Sequence, residues 1–273
     1  MTLNCNGKIL DFSTKKIMGI VNISKDSFFD GGKYDTIDKV NNQVSKLISS
    51  GADVIDLGAA SSKPGSKLIK PEEEYDLIFN YINELTSNFK EVLFSIDTYN
   101  SSVADFALSK GFSLVNDISS GKYDKNMFQV VKKYNAGYIM MHMKGDPINM
   151  QENTKYDNVV ESIISFFKIK IQELEKLNFS NIIIDPGFGF GKSIEDNYEI
   201  LKNLKVLKSL GKPIMAGLSR KSMIYKVLNN SPQEALNGTT VLNTLALDKG
   251  ASIIRVHDVK EAVECRKILE KLD

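Results

Sequence analysis

Apolar residues along this chain come in short runs, each closed by a polar residue and each followed by a stretch of helical period. The run Ile182 to Ile184 is the clearest: three isoleucines, apolar on both faces, end on Asp185 and a Pro-Gly-Phe-Gly-Phe-Gly-Lys-Ser sequence. A strand without alternation is buried on both sides, as in a parallel sheet under helices. The same reading predicts strands at Lys16 to Ile23, Ala52 to Leu57, Val92 to Ile96, Leu114 to Val115, Gly137 to Met141, Pro213 to Leu218 and Ser252 to Val256. Between them, helices are predicted at about Thr36 to Ser50, from Pro71 onward, and at Ser101 to Gly111, Lys125 to Tyr134 and Asp157 to Leu177. Further helices follow at Ile194 to Leu210, Pro232 to Gly250 and Val259 to Leu272. Pro71 suits a first helical turn, and the glutamates after it complement the helix dipole. Ahead of all this, Leu3 to Phe12 carries Asn6-Gly7 between short alternating arms, a hairpin placed to plug one end of the core.

Eight strands alternating with eight helices in one domain, 1–273, give an α/β fold of the (β/α)8 TIM-barrel type with a short N-terminal β-hairpin at 3–12. The runner-up is a doubly wound sheet. It is disfavoured because no glycine-rich dinucleotide fingerprint follows the first strand and because polar residues close almost every strand rather than one switch point. In a barrel those ends meet on one face. Asn22, Asp56, Asp97, Asn116, His142, Asp185, Lys221, Arg255 and His257 are therefore expected to converge.

Composition narrows the setting. With 35 basic and 34 acidic residues interspersed, no surface field suits a nucleic-acid backbone. Cys5 and Cys265 lie near opposite ends without metal-ligand spacing, which fits a reduced, cytoplasmic protein. No apolar run approaches a membrane span, so no membrane partner is expected.

The strand-end residues define a chemistry. Asp97, Asn116 and Asp185 offer carboxylates and an amide, the set that holds the edge of a flat heterocycle rich in N–H donors. Lys221 supplies a donor to a ring carbonyl, and Arg255 a planar face for stacking and a fork for anions. A plainer reading makes each aspartate a helix cap and pairs Arg255 with Asp258. Asn22, Ser219, Arg255 and His257 add donors for an anion, beside a loop carrying Ser61, Ser62 and Lys63. His142 reads as a packed residue rather than a metal ligand. No transition-metal site is expected, but magnesium held largely by substrate phosphates, with Asn22 as one protein oxygen, is compatible with the residues. The Gly-Lys-Ser at 191–193 is not a nucleotide P-loop, because Pro186 stands where that motif needs glycine.

Several segments resemble one family. V-N-I-S-K-D-S-F-F-D-G-G (Val21 to Gly32), S-S-K-P-G (Ser61 to Gly65), S-I-D-T-Y (Ser95 to Tyr99), N-D-I-S (Asn116 to Ser119), M-H-M-K-G (Met141 to Gly145), D-P-G-F-G-F-G-K (Asp185 to Lys192), G-L-S-R-K-S (Gly217 to Ser222) and R-V-H-D-V (Arg255 to Val259) are similar, in order, to dihydropteroate synthase. The resemblance implies condensation of 6-hydroxymethyl-7,8-dihydropterin diphosphate with p-aminobenzoate to 7,8-dihydropteroate and pyrophosphate, through a pterin carbocation. It places the pterin on Asp97, Asn116, Asp185 and Lys221, with Met140 and Gly217 lining the pocket and Arg255 stacked on the ring. It gives p-aminobenzoate to Phe28, Ser62, Lys63, Pro64, Phe190, Lys221 and Ser222. The diphosphate falls to Asn22, Ser62, Lys63, Ser219, Arg255 and His257, with Mg2+ on Asn22. Asp97, Lys221, Arg255 and His257 would be catalytic. A homodimer through the late helices, 232–272, and a place among sulfonamide targets are implied as well, with the strength of inhibition left open.

Departures from the family pattern cluster in two loops. Lys25 replaces a frequent proline, Ala60 a glutamate or bulky residue, and Ser62-Lys63 the commoner Thr-Arg. Lysine keeps the charge of arginine but not its bidentate fork. The alternatives are a pterin-dependent methyltransferase, against which the two loop motifs speak, and a non-catalytic pterin-binding homologue, against which Lys221, Asn22 and His257 speak.

Overall fold

The computed structural model describes residues 1–23, 36–60, 65–152 and 154–272. Among them an eight-stranded sheet, parallel throughout, forms a barrel wall in the order β8-β7-β6-β5-β4-β3-β10-β9. The strands are β3 (Lys16–Asn22), β4 (Val54–Gly58), β5 (Leu93–Asp97), β6 (Leu114–Asp117), β7 (Gly137–Met141), β8 (Ile182–Asp185), β9 (Met215–Ala216) and β10 (Ile253–Val256). A parallel bridge from Ile184 to Ile214 joins the two ends of the order and closes the ring.

Each strand is followed by helix: α1 (Ile37–Ser49), α2 (Pro71–Asn88), α3 (Ser101–Ser109), α4 (Met127–Lys133), α5 (Val159–Glu175), α6 (Ile194–Lys202), the short α7 (Ser222–Tyr225), α8 (Leu236–Asp248) and α9 (Val259–Leu269). Local chemistry sets these starts. Thr36 caps α1 by accepting from the Lys39 N–H, Pro71 opens α2, Asn158 caps α5, and Ser193 with Asp196 forms a reciprocal capping box on α6. Two expectations change. The helix predicted at 194–210 ends at Lys202 and continues as a 3-10 segment, Leu204–Leu210, because Asn203 leaves helical geometry and turns its amide back onto Glu199. The strand predicted at 213–218 is two residues long in the ladder.

Side chains alternate across the wall with period two. Outward residues such as Ile17, Ile55, Phe94, Val115, Tyr138 and Ile182 join the helices in the main core. Inward residues Met18, Val54, Leu114, Ile139, Ile183, Met215 and Ile253 form a second cluster, closed from below by Leu3, Cys5 and Leu10. Those last three belong to the hairpin β1 (Thr2–Cys5) and β2 (Lys8–Asp11), which plugs the N-terminal end of the barrel as its sequence suggested. Burial pushes the Cys5 thiol up to about 12, so this cysteine is an apolar plug and not a nucleophile. With one end sealed by apolar side chains, the polar inward residues sit at the other.

Candidate active site

One step further along the strands, the inward positions turn polar: Asp56 on β4, Ser95 and Asp97 on β5, Asn116 on β6, Asp185 on β8 and Arg255 on β10. Four of them, Asp97, Asn116, Asp185 and Arg255, line an open-mouthed cavity together with Gly217, Ser219, Lys221 and His257. Ile20, Ile118, Met141 and Phe190 complete it with apolar surface. This mixture of charged and apolar lining suits a small polar aromatic ligand.

Arg255 organises one half. Its Nε donates to Asp56 Oδ2 and its Nη2 to Asp97 Oδ2, both at 2.6 Å. Asp56, fully buried, also accepts from Asn116 Nδ2 at 3.0 Å, so four strands are tied across the barrel interior. One guanidinium between two carboxylates leaves a net negative charge. Burial, opposed by Arg255 and reinforced by Asp56, raises Asp97 above the ordinary carboxylate range. Arg255 is held charged: burial works against it, but Asp56 and Asp97 lift it further above its usual value. The plainer pairing of Arg255 with Asp258 does not occur, because Arg220 takes Asp258 through Nε at 2.8 Å and Nη2 at 3.0 Å.

Asp185 and Lys221 organise the other half. Asp185 Oδ1 accepts the Gly187 N–H at 2.8 Å; burial raises its carboxyl, against the pull of Lys221. Burial brings Lys221 down to about 8, with Asp185 opposing, while its ammonium donates to the Phe188 carbonyl and lies 4.6 Å from the centre of the Phe190 ring. Ser219 Oγ and His257 Nδ1 are 2.9 Å apart at the rim.

The loop after Asp185 is built for this placement. A Cβ on Gly187 would overlap the His142 carbonyl and one on Gly191 the Lys144 carbonyl, and both residues have positive φ. Buried Lys192 threads the loop and donates to the carbonyls of His142, Gly187 and Phe190 at 3.0, 2.9 and 2.8 Å. The lysine that resembled a P-loop element is thus a structural bolt. Arg220, between cavity residues Ser219 and Lys221, has a φ of 55°. Its hold on Asp258, on the carbonyls of Pro232 and Gln233 and, through its N–H, on Thr239 keeps it in that strained conformation.

The predicted residues divide as follows. Asp97, Asn116, Asp185, Gly217, Lys221, Ser219, Phe190, Arg255 and His257 line one cavity. Asn22 ends β3 on the same inward face as Ile20, in register with Gly58. Met140 does not line the cavity: it shares the outward face of β7 with Tyr138 and lies in the outer core, while Met141, in register with Asp185, faces inward. His142 packs edge-on against Phe166 at 5.1 Å between ring centres, and burial lowers it to about 3, so it is a neutral core residue outside the cavity. Ser222 opens α7, half-buried beside the cavity residue Lys221 but not lining it. Phe28, Ser62, Lys63 and Pro64 lie outside the described residues, as does Lys25. Asp56, expected at the mouth without a role of its own, proves to anchor Arg255. Sequence reasoning missed Arg220 as a brace and buried Glu74 on α2. Glu74 had a signal: it stands four residues before Ile78 on the stripe that buries α2.

Residues 18–257 match the pterin binding enzyme family. A dihydropteroate synthase of Clostridium beijerinckii is 40% identical over 257 residues, covering 93% of each chain. The chain belongs to the dihydropteroate synthase family. Among solved structures, a Yersinia pestis dihydropteroate synthase in a sulfonamide drug complex is 36% identical and superposes with a TM-score of 0.95, covering 100% of this chain and 98% of the other. A Xanthomonas albilineans dihydropteroate synthase with 4-aminobenzoic acid gives a TM-score of 0.90 at 32% identity, covering 99% of this chain and 97% of the other. The barrel expected from strand pattern is therefore the barrel of dihydropteroate synthases, and the polar residues of this chain converge at its open mouth. Among the described residues no helix is long and apolar enough to cross a membrane.

Proposed function

We infer that this synthase joins p-aminobenzoate to 6-hydroxymethyl-7,8-dihydropterin diphosphate with the cavity floor as the pterin site. The observation that carries the residue roles is the convergence of Asp97, Asn116, Asp185, Lys221 and Arg255 on one cavity. Asp185 takes the paired N–H donors of the aminopyrimidine edge, Asn116 a further ring donor or acceptor, and Lys221 donates to the ring carbonyl. Arg255 has two nitrogens fixed by carboxylates, so its plane is set before a ring arrives to stack on it.

In the reaction the bond between the exocyclic methylene carbon and the diphosphate oxygen breaks, and its electron pair leaves with pyrophosphate. The carbon becomes a cation conjugated with the pterin nitrogens. The Asp97 carboxylate, at the strand end of β5, stabilises that charge electrostatically. The aryl amine then donates its lone pair to form the C–N bond and loses a proton. No protein nucleophile enters this sequence. Arg255, His257 and Ser219 hold the departing anion; the Ser219–His257 contact of 2.9 Å fixes the imidazole for that task.

For magnesium, the donor set is what matters. Among the described residues no group of three or more His, Cys, Asp or Glu side chains could cage a metal, and Asn22 brings a single neutral oxygen to the mouth. That fits a cation which keeps its waters and takes most of its ligands from substrate phosphate. When bound, it neutralises leaving-group charge. The acceptor side falls to Phe190 and Lys221, with Phe28, Ser62, Lys63, Pro64 and Ser222 as further p-aminobenzoate residues and Ser62 and Lys63 also serving the diphosphate. Sulfonamides, as acceptor analogues, compete there.

The same reading makes the enzyme a cytoplasmic homodimer. The dimer is supported by apolar side chains left exposed on the late helices, Val241 and Leu245 on α8 and Ile268 on α9; sedimentation as a monomer would contradict it. The pterin site is tested by titrating wild type and the variants Asp185→Asn and Lys221→Met with a dihydropterin, following fluorescence. Each variant is expected to bind about 10- to 100-fold more weakly, the loss of one charged hydrogen bond. Unchanged affinity in both would place the pterin elsewhere.

A further inference from the structure

Glu74 occupies a position where α2 calls for an apolar side chain. The buried stripe of that helix runs Glu74, Ile78, Ile82, Leu85, and Glu74 is 0% exposed. Its Oε2 accepts from Thr98 Oγ1 at 2.8 Å and from Asn100 Nδ2 at 2.5 Å. Between those two, Tyr99 Oη accepts the Ile69 N–H at 2.7 Å. All three residues that follow Asp97 are therefore tied to the segment that leads into α2 and to its first turn. Thr98 is pinned a second time, since its N–H donates to the Asn116 carbonyl at 3.0 Å.

Stability does not explain this arrangement. A carboxyl group in an apolar stripe is penalised by desolvation, and well-packed hydrophobic side chains of similar volume are often as stable or more so. Among the described residues, Glu74 Oε1 is also buried with no hydrogen-bond partner. What the group does provide is a doubly accepting oxygen that fixes the backbone on the far side of Asp97. On the near side, Arg255 Nη2 holds the Asp97 carboxylate itself.

We propose that Glu74 is a positioning residue, which by clamping Thr98 and Asn100 holds the strand end that aims Asp97 at the reacting carbon. The inference rests on the synthase reading above for the role of Asp97. Wild-type turnover is measured first, because its absence would defeat that reading and not this one. In E74Q the amide oxygen can still accept both bonds, so kcat should stay within about twofold of wild type. In E74A, assayed well below its melting temperature, kcat should fall about 10- to 100-fold, as expected for a displaced catalytic carboxylate, with the p-aminobenzoate KM little changed.

The double variant T98V/N100A leaves Glu74 in place and removes both donors. It should lose kcat by the same factor, and adding E74A to it should lower kcat by no more than about threefold more, because the groups act as one unit. This double variant carries the test if E74A does not fold. Full kcat per folded molecule in E74A or in T98V/N100A would overturn the proposal. So would E74Q as impaired as E74A, or losses that simply multiply when the variants are combined.

Discussion

Replacing Asp56 with asparagine separates activity from stability in a way that exposes the logic of the site. Asp56 Oδ2 accepts from Arg255 Nε at 2.6 Å and from Asn116 Nδ2 at 3.0 Å. The asparagine of D56N would keep the shape and one acceptor but lose the charge, weakening the hold on Arg255 by about 2 kcal/mol, a charged hydrogen bond reduced to a neutral one. If Arg255 must stand where it does to meet pterin and leaving group, kcat/KM for the pterin diphosphate falls about 30-fold. Stability should move the other way or hardly at all. Asp56 and Asp97 crowd one guanidinium, so deleting one buried negative charge relieves desolvation and repulsion, and Tm should stay within about 3 °C of wild type.

The pH profile gives a third readout. Asp97 is raised above the usual carboxylate range by burial, with Asp56 adding to the rise. The ionised form stabilises the cation, so activity increases as pH rises through the range where Asp97 loses its proton. Without the Asp56 charge the rise should move to lower pH. The assay is steady-state turnover against pH with melting curves on the same samples. Unchanged kcat/KM would refute the reasoning about Arg255. A loss of activity that tracks a large loss of Tm would make Asp56 a structural residue instead.

Two other outcomes follow from burial and backbone geometry. Gly187→Ala puts a Cβ about where the His142 carbonyl stands, at a φ of +71°, and is expected to cost about 3 kcal/mol or more in urea unfolding; a change below about 1 kcal/mol would show that the loop can shift without loss. Glu74→Gln should gain stability relative to wild type as pH rises. Burial lifts Glu74 from 4.5 to about 7, against the Asn100 and Thr98 hydrogen bonds, so the wild-type contribution is complete below 4.5 and lost as pH climbs through about 7. Melting curves of the pair between about pH 4.5 and 7.5 check this, and a constant difference would contradict it.

Much of this architecture is legible in the chain because parallel strands buried on both faces announce themselves as apolar runs. Ile182 to Ile184 needs no partner information, and a polar residue closing such a run marks the strand's C-terminal end. That is why Asp97, Asn116, Asp185 and Arg255 can be found from sequence. The same absence of alternation hides facing. In Gly-Tyr-Ile-Met-Met, Met140 and Met141 are equally apolar, and only the register with Asp185 on β8 shows that Met141 points inward. Glu74 reads as a dipole-compensating residue of an acidic first turn, because its two partners lie 24 and 26 positions away and carry no local signal. Arg220 escapes notice because a left-handed φ in a non-glycine residue is set by its tertiary contacts with Asp258 and Thr239. Asn203 breaks a helix whose apolar spacing continues through Leu204 and Leu207, so the change to 3-10 geometry is invisible to periodicity.

The most direct measurement supplies the purified protein with 6-hydroxymethyl-7,8-dihydropterin diphosphate, p-aminobenzoate and magnesium, and identifies the pterin product chromatographically alongside released pyrophosphate. The account predicts 7,8-dihydropteroate and pyrophosphate in equal amounts, with both lost in Asp185→Ala and Lys221→Ala. Dihydropteroate formation that survives both substitutions would contradict the assignment of the cavity, and pyrophosphate release without dihydropteroate in the wild type would contradict the condensation itself.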